Sequence, residues 1–115
     1  MKKLFIKIHQ KEKPLEDIQV MPAATRLGDS CTGHGCYAPR ACIKGSSNVF
    51  VNGKAAHRKG DSWNLHPCGN SKHGGVTSVG SSTVYVNGKP LARKGDPISC
   101  GSAILQGSDN VSAGG

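Results

Sequence analysis

Aromatic side chains are scarce: one Trp, two Tyr and two Phe in 115 residues. A chain this poor in them cannot assemble a large core. A small domain with a thin core needs another fastening, such as disulfides, a metal or a partner chain. Long apolar runs are also missing. The apolar stretch nearest the start, Leu4 to Ile8, is interrupted by Lys7 and leads to no small-residue cleavage site. That excludes a convincing signal peptide, and no run anywhere is long enough to form a transmembrane helix. Glutamate is confined to Glu12 and Glu16, so the remaining chain has none to act as a general base. No window of ten or more residues after Pro22 carries helical periodicity. What these absences leave is a nearly all-β protein of one domain, made in the cytoplasm and leaving it only through a machine that needs no cleavable signal.

Positive charge, glycine, cysteine and histidine are what the chain has in quantity. The formal charge is +8, with 16 Gly, five Cys and five His. The cations are scattered: Lys2, Lys3, Lys7, Lys11 and Lys13 near the start, then Arg26, Arg58, Lys59, Arg93 and Lys94 beside turns. No basic run alternates with aromatics to stack bases, which weakens a nucleic-acid reading. An odd number of Cys argues against a disulfide framework and turns attention to metal.

Residues 1–20 differ from the rest. Leu4, Ile6 and Ile8 alternate with Phe5, Lys7 and His9, the pattern of one short strand, and a linker-like segment follows. The expectation is an arm over 1–20 and a repeat domain over 21–115. From Pro22 the chain repeats itself. "GSSNVFVNGKAAHRKGDS" (45–62) and "GSSTVYVNGKPLARKGDP" (80–97) agree at 12 of 18 positions. "AATRLGD" (23–29) repeats the turn phrase, and a third copy of the Gly-Ser line, "GSDNVSAGG" (107–115), is truncated. Val-aromatic-Val before Asn-Gly reads as a strand entering a tight turn, because Asn and Gly tolerate positive φ. Units of this size cannot bury a face alone and must pack on one another. Val49, Val51, Val84, Val86, Ile104 and Val111 are the expected core. The three Arg-x-Gly-Asp phrases read as structural turns in which Asp29, Asp61 and Asp96 accept backbone N–H bonds or pair with the Arg. Identical contexts argue against acid–base roles for them.

The unequal loops between these phrases hold the candidate chemistry. His34 and His66 fall five residues after a turn Asp, and Cys100 four. His73 and Cys100 each lie seven residues before a Gly-Ser step. Equivalent loops brought together by approximate threefold packing would gather His34, His73 and Cys100, with His66 as a fourth. Three His nitrogens and a thiolate suit a closed tetrahedral Zn²⁺ site. His57 aligns with Thr25 and Ala92 rather than with these loops, which makes it a surface or turn-packing residue, although it stays a rival ligand. Cys68, two residues after His66, is another. Cys31, Cys36, Cys42 and Cys68 otherwise read as small loop residues or free thiols, with an opportunistic disulfide left open. A catalytic metal would need an open position and a nearby base. Neither has support, so no enzyme is expected.

The phrases "PLARKGD" and "AAHRKGD", the Gly-Ser-x-x-Val-x-Val-Asn-Gly lines and a His-Gly loop resemble the PAAR-repeat proteins over Met21 to Gly115. That family is named for Pro-Ala-Ala-Arg and forms the sharp tip of type VI secretion spikes and related contractile phage tails. Only Pro90-Leu91-Ala92-Arg93 keeps both Pro and Arg in register; Ala55 and Ala23 replace Pro in the other copies. The resemblance implies a mainly β fold, a small cone of short hairpins with pseudo-threefold repeats, its apex pinned by one structural Zn²⁺. The implied ligands are His34, His66, His73 and Cys100. It further implies one copy per trimer of the valine-glycine repeat spike VgrG, a membrane contacted transiently, and residence in the bacterial cytoplasm within the loaded apparatus before ejection. With its last residue straight after the third Gly-Ser step, the chain reads as a stand-alone tip, for which any effector cargo would be non-covalent or attached to another protein. The alternative, from charge and Cys/His content, is a small basic zinc module that binds nucleic acid.

Overall fold

In the computed structural model, Leu4, Phe5 and residues 21–115 are described. The expected arm strand is described only as β1 (Leu4–Phe5), which runs parallel to β2 (Val49–Val51); the remaining arm readings, His9 included, lie outside the described residues. The other strands are β3 (Lys54–Ala55), β4 (Ser62–Cys68), β5 (Ser71–Val76), β6 (Tyr85–Val86) and β7 (Lys89–Pro90). No helix occurs among the described residues. The described residues form a mainly β structure of short hairpins, as the sequence patterning predicts, and are consistent with the small cone the resemblance implies.

Hairpins β2–β3 and β6–β7 are the two full repeats. Each turns through Asn-Gly, with φ of 55° at Asn52 and Asn87 and 77° at Gly53 and Gly88, the positive values a tight hairpin turn demands. The third hairpin is made from both ends of the repeat domain. Ala23 bridges Ser112 antiparallel, Ala24 donates its N–H to Val111, and Ala113 donates to Pro22. The copy that looks truncated in sequence is completed by Pro22–Ala24, which occupies the place Lys54–Ala56 and Lys89–Leu91 hold in the other two.

Backbone hydrogen bonds lock the three units around an axis. The N–H of Thr25 donates to Ala92, that of Ala92 to His57, and that of His57 back to Thr25, at 2.9, 2.9 and 3.0 Å. A second ring joins Leu27 to Ala55, Lys59 to Pro90 and Lys94 to Ala23. The glycine of each Gly-Ser step is demanded by this closeness. At Gly80, a Cβ would sit 2.7 Å from the Pro90 Cβ and 2.9 Å from the Leu91 oxygen, and Gly45 and Gly107 face the same crowding from Ala55 and Ala23.

Each Arg-x-Gly-Asp phrase forms a clamp. Arg26, Arg58 and Arg93 make two side-chain bonds to Asp29, Asp61 and Asp96, and each Asp also accepts the N–H of its own Arg. The Arg58–Asp61 pair is almost entirely buried, where such a fork-shaped pair is strongest. The spare guanidinium nitrogen reaches the next hairpin turn: Arg26 holds the Asn52 amide oxygen and Arg58 that of Asn87. In the third unit Arg93 holds the Gly114 carbonyl instead.

Apolar residues collect in two layers. The repeat layer holds Ala24, Val49, Val51, Ala56, Val86, Leu91, Val111 and Ala113, with Val84 packed against it and only partly buried. The loop layer holds Cys31, Cys42, Trp63, Ala92, Ile98 and Ile104. Ile104 thus belongs with the loops rather than with the valine walls. His57 lies between the layers and is fully buried, which corrects its reading as a surface residue. Its Nδ1–H donates to the Lys44 carbonyl, while Nε2 accepts from the Thr77 hydroxyl. The Trp63 indole N–H in turn donates to that hydroxyl. Burial lowers the His57 pKa, and a neutral ring with its proton on Nδ1 satisfies every partner.

Candidate metal centre

Four side chains from three loops converge beyond the loop layer. His34 comes from the first loop, where His34 and Tyr37 exchange both backbone hydrogen bonds across a tight turn. His66 and His73 are directly opposite each other in the β4–β5 hairpin, and Cys100 comes from the third loop. One ligand atom from each lies within 4.8 Å of every other. His73 Nε2 is 3.0 Å from His34 Nε2 and 2.8 Å from His66 Nε2. The group sequence alignment of the loops picks out is therefore brought together, His66 included.

The donor chemistry fits a metal ion. His66 Nδ1 lies 2.7 Å from the Ala38 carbonyl. A carbonyl only accepts, so Nδ1 carries the proton and Nε2 presents its lone pair inward, the outer-shell arrangement that fixes a metal-binding imidazole. Three ring nitrogens that close cannot all be satisfied by one another's protons. Their spacings are near the roughly 3.3 Å edge of a tetrahedron built with zinc–nitrogen bonds of about 2.0–2.1 Å. Partial burial, with His66, His34 and Arg40 nearby, lowers the His73 pKa and favours the neutral ring. Burial raises the Cys100 thiol, but bonds from Ser102 and Arg40 outweigh it, so its pKa lies below that of a free thiol. Thiolate is the form that binds metal.

Arg40 stands behind the sulfur. It is buried, donates Nε–H to the Asn64 carbonyl at 2.8 Å, and reaches the sulfurs of Cys31 and Cys100 at 3.0 and 3.3 Å. Its guanidinium also lies over the Trp63 ring, a favourable cation–π placement. Tyr37 covers the other side, its ring 4.1 Å from that of His73 and its hydroxyl donating to Ser71 at 2.9 Å. Sequence reasoning singled out neither Arg40 nor Tyr37. Both lie outside the repeated phrases, where alignment of copies offers no signal.

The rival ligands are placed elsewhere. His57 sits on the axis between the layers, with both nitrogens occupied. Cys68 is joined to Cys36 in a disulfide, so it does not substitute for His66, and the inference from an odd cysteine count fails for this pair. Cys31 and Cys42 are free and buried. Burial pushes the Cys42 thiol up to about 11, the behaviour of an inert core residue. The three turn arginines are held in ion pairs, which removes them from the cationic surface counted in the charge.

Fold and site together define a small β protein of three related units, with a group able to hold a metal on its unequal loops. Residues 66–115 match the family model described as PAAR motif. None of the curated proteins matches the chain.

Proposed function

We propose that this chain is the pointed tip that caps the trimeric VgrG spike of a type VI secretion apparatus or a related contractile machine, helping it pierce a membrane and deliver effectors. The observation that carries this reading is the closed ring of Thr25, His57 and Ala92. A single chain with three similar faces can meet a symmetric trimer with one unit per subunit. His34, His66, His73 and Cys100 would hold one structural Zn²⁺, with the Ala38 carbonyl and Arg40 orienting His66 and Cys100. Bound there, the ion cross-links three loops where apolar packing is thinnest. Four protein donors complete a tetrahedral shell and leave no position for a substrate or a reactive water. The aspartates nearest in kind to a catalytic base are locked in arginine clamps, so the reading is of a structural part and not an enzyme. The tip would wait in the bacterial cytoplasm as part of the loaded machine and leave with it.

Two measurements test this. Elemental analysis of the purified chain is expected to find about one zinc per chain, falling to none in His73→Ala and unchanged in His57→Ala. Native mass spectrometry of the chain mixed with a trimeric spike is expected to find one copy per trimer; three copies would reject the capping geometry.

A further inference from the structure

Cys36 and Cys68 stand in a fixed relation to two of the metal-site histidines. The chain reads His34-Gly35-Cys36 in the first loop and His66-Pro67-Cys68 at the end of β4. The disulfide joins the residues two beyond each histidine, with their Cα atoms 5.5 Å apart. It therefore ties together the same two segments that His34 and His66 would tie through a metal. The Tyr37 hydroxyl, bonded to Ser71 at the start of β5, braces the same gap non-covalently. Cys36 is exposed and Cys68 half-buried, so the bond is open to thiol reagents, unlike the buried Cys31 and Cys42.

We infer that Cys36 and Cys68 form a thiol-reversible clasp over the metal centre that controls how readily the ion is released. The inference rests on the metal reading proposed above. The reducing cytosol keeps most thiols free, and oxidising compartments close them. With the two thiols free, non-covalent bonds alone hold the first loop against the β4–β5 hairpin when a ligand lets go, among them His66–Ala38, Arg40–Asn64, Asn64–Ala41 and Tyr37–Ser71. With the clasp closed, a histidine that dissociates stays close to the ion and rebinds. Closure proceeds by exchange with a low-molecular-weight disulfide such as oxidised glutathione. One Cys thiolate attacks a glutathione sulfur and expels a glutathione thiolate. The second Cys thiolate then attacks the mixed disulfide and expels the other. Two cysteine protons are lost and two electrons pass to glutathione. A tip made in reducing cytosol would carry an open clasp, and one delivered to an oxidising compartment a closed one.

The test uses the full chain after incubation with oxidised glutathione. Thiol alkylation of the denatured protein is expected to label three cysteines before reduction, Cys31, Cys42 and Cys100, and five after it. Zinc content is measured next, then the rate of zinc transfer to a chromogenic chelator. That rate is compared with the Cys36→Ser/Cys68→Ser variant and with wild type reduced by a phosphine and desalted without air, which serves if the variant fails to fold. Release is expected to be roughly 10- to 100-fold faster in both open forms, the scale on which groups supporting metal ligands act. Five labelled thiols before reduction, or equal release rates with zinc bound, overturn the clasp alone. A folded chain without zinc overturns the metal reading and the coupling together.

Discussion

The repeat layer and the loop layer solve the same problem, holding three units together with a thin core, by opposite means. In the repeat layer the solution is written three times. Valine walls, a crowded glycine and an arginine clamp recur in each unit, and each interaction is modest, local and backed by two copies of itself. The loop layer has no such redundancy. One tryptophan, one arginine, one disulfide and one cluster of four donors each occur once. Symmetry distributes strain among equivalents, whereas cross-links concentrate it in a few groups. A change in the first layer should therefore cost stability and spare the site, whereas a change in the second should disturb the site as well as stability.

The largest test of that contrast is Asp61→Asn. It leaves the Arg58 guanidinium buried without its anion, a loss on the order of 3–5 kcal/mol. Urea denaturation should show that loss while zinc content in the folded fraction stays at the wild-type value. The same change at Asp29, whose arginine partner is more exposed, should cost less. Equal costs would mean that burial is not what strengthens the clamp. A middle-sized effect is expected at Gly80→Ala. Its Cβ would press on Pro90 and the Leu91 carbonyl, and overpacking of this kind costs about 1–3 kcal/mol. The melting temperature should fall without release of metal; an unchanged value would show that the repeats can spread apart.

The smallest effect concerns the boundary between the layers. Burial holds the His57 pKa below its ordinary value near 6.5. The unfolded chain therefore binds a proton there more readily than the native one. The stability that His57 contributes is complete above about pH 6.5 and is lost as the pH falls from there through the folded pKa, by at most about 1.4 kcal/mol per pH unit. His57→Gln can keep a donor toward Lys44 and an acceptor toward Thr77 without titrating. Stability measured against pH should fall less steeply for it than for wild type between pH 6.5 and 5. Identical slopes would dismiss the account.

The two layers also differed in how far the sequence exposed them. Repetition made the hairpins, the Arg–Asp turns and most of the valine core readable, because each copy checked the others. The grouping of His34, His73 and Cys100 was read the same way, from what each unequal loop placed at an equivalent point, with His66 added as an extra contributor, and the four lie close together. For His57 the alignment with Thr25 and Ala92 correctly set it apart from the ligand loops but left surface and turn-packing readings open, and burial removes the first. In fact the Thr25 hydroxyl, donating to Gln106, does a similar job in its own unit, and both positions are buried. The Cys36–Cys68 bond left only the doubled His-x-Cys spacing as a trace: the loop alignment gathers His34 and His66 but does not say which cysteines meet. Closure of the third hairpin was hidden for a related reason: its two strands lie at opposite ends of the repeat domain.

That closure governs the order in which the molecule can be made. The Ala23–Ser112 pairing spans nearly the whole repeat domain, and the axial ring needs Ala92 before either Thr25 or His57 has its full set of partners. A nascent chain emerging from the ribosome can form its first Asn-Gly hairpin early, but Pro22–Ala24 must wait for residues 111–113. Contacts so distant along the chain are slow to form and leave apolar strands uncovered meanwhile. The early-made valines of the repeat layer stay exposed until residues 111–113 have emerged, so the nascent chain is vulnerable to aggregation throughout that interval.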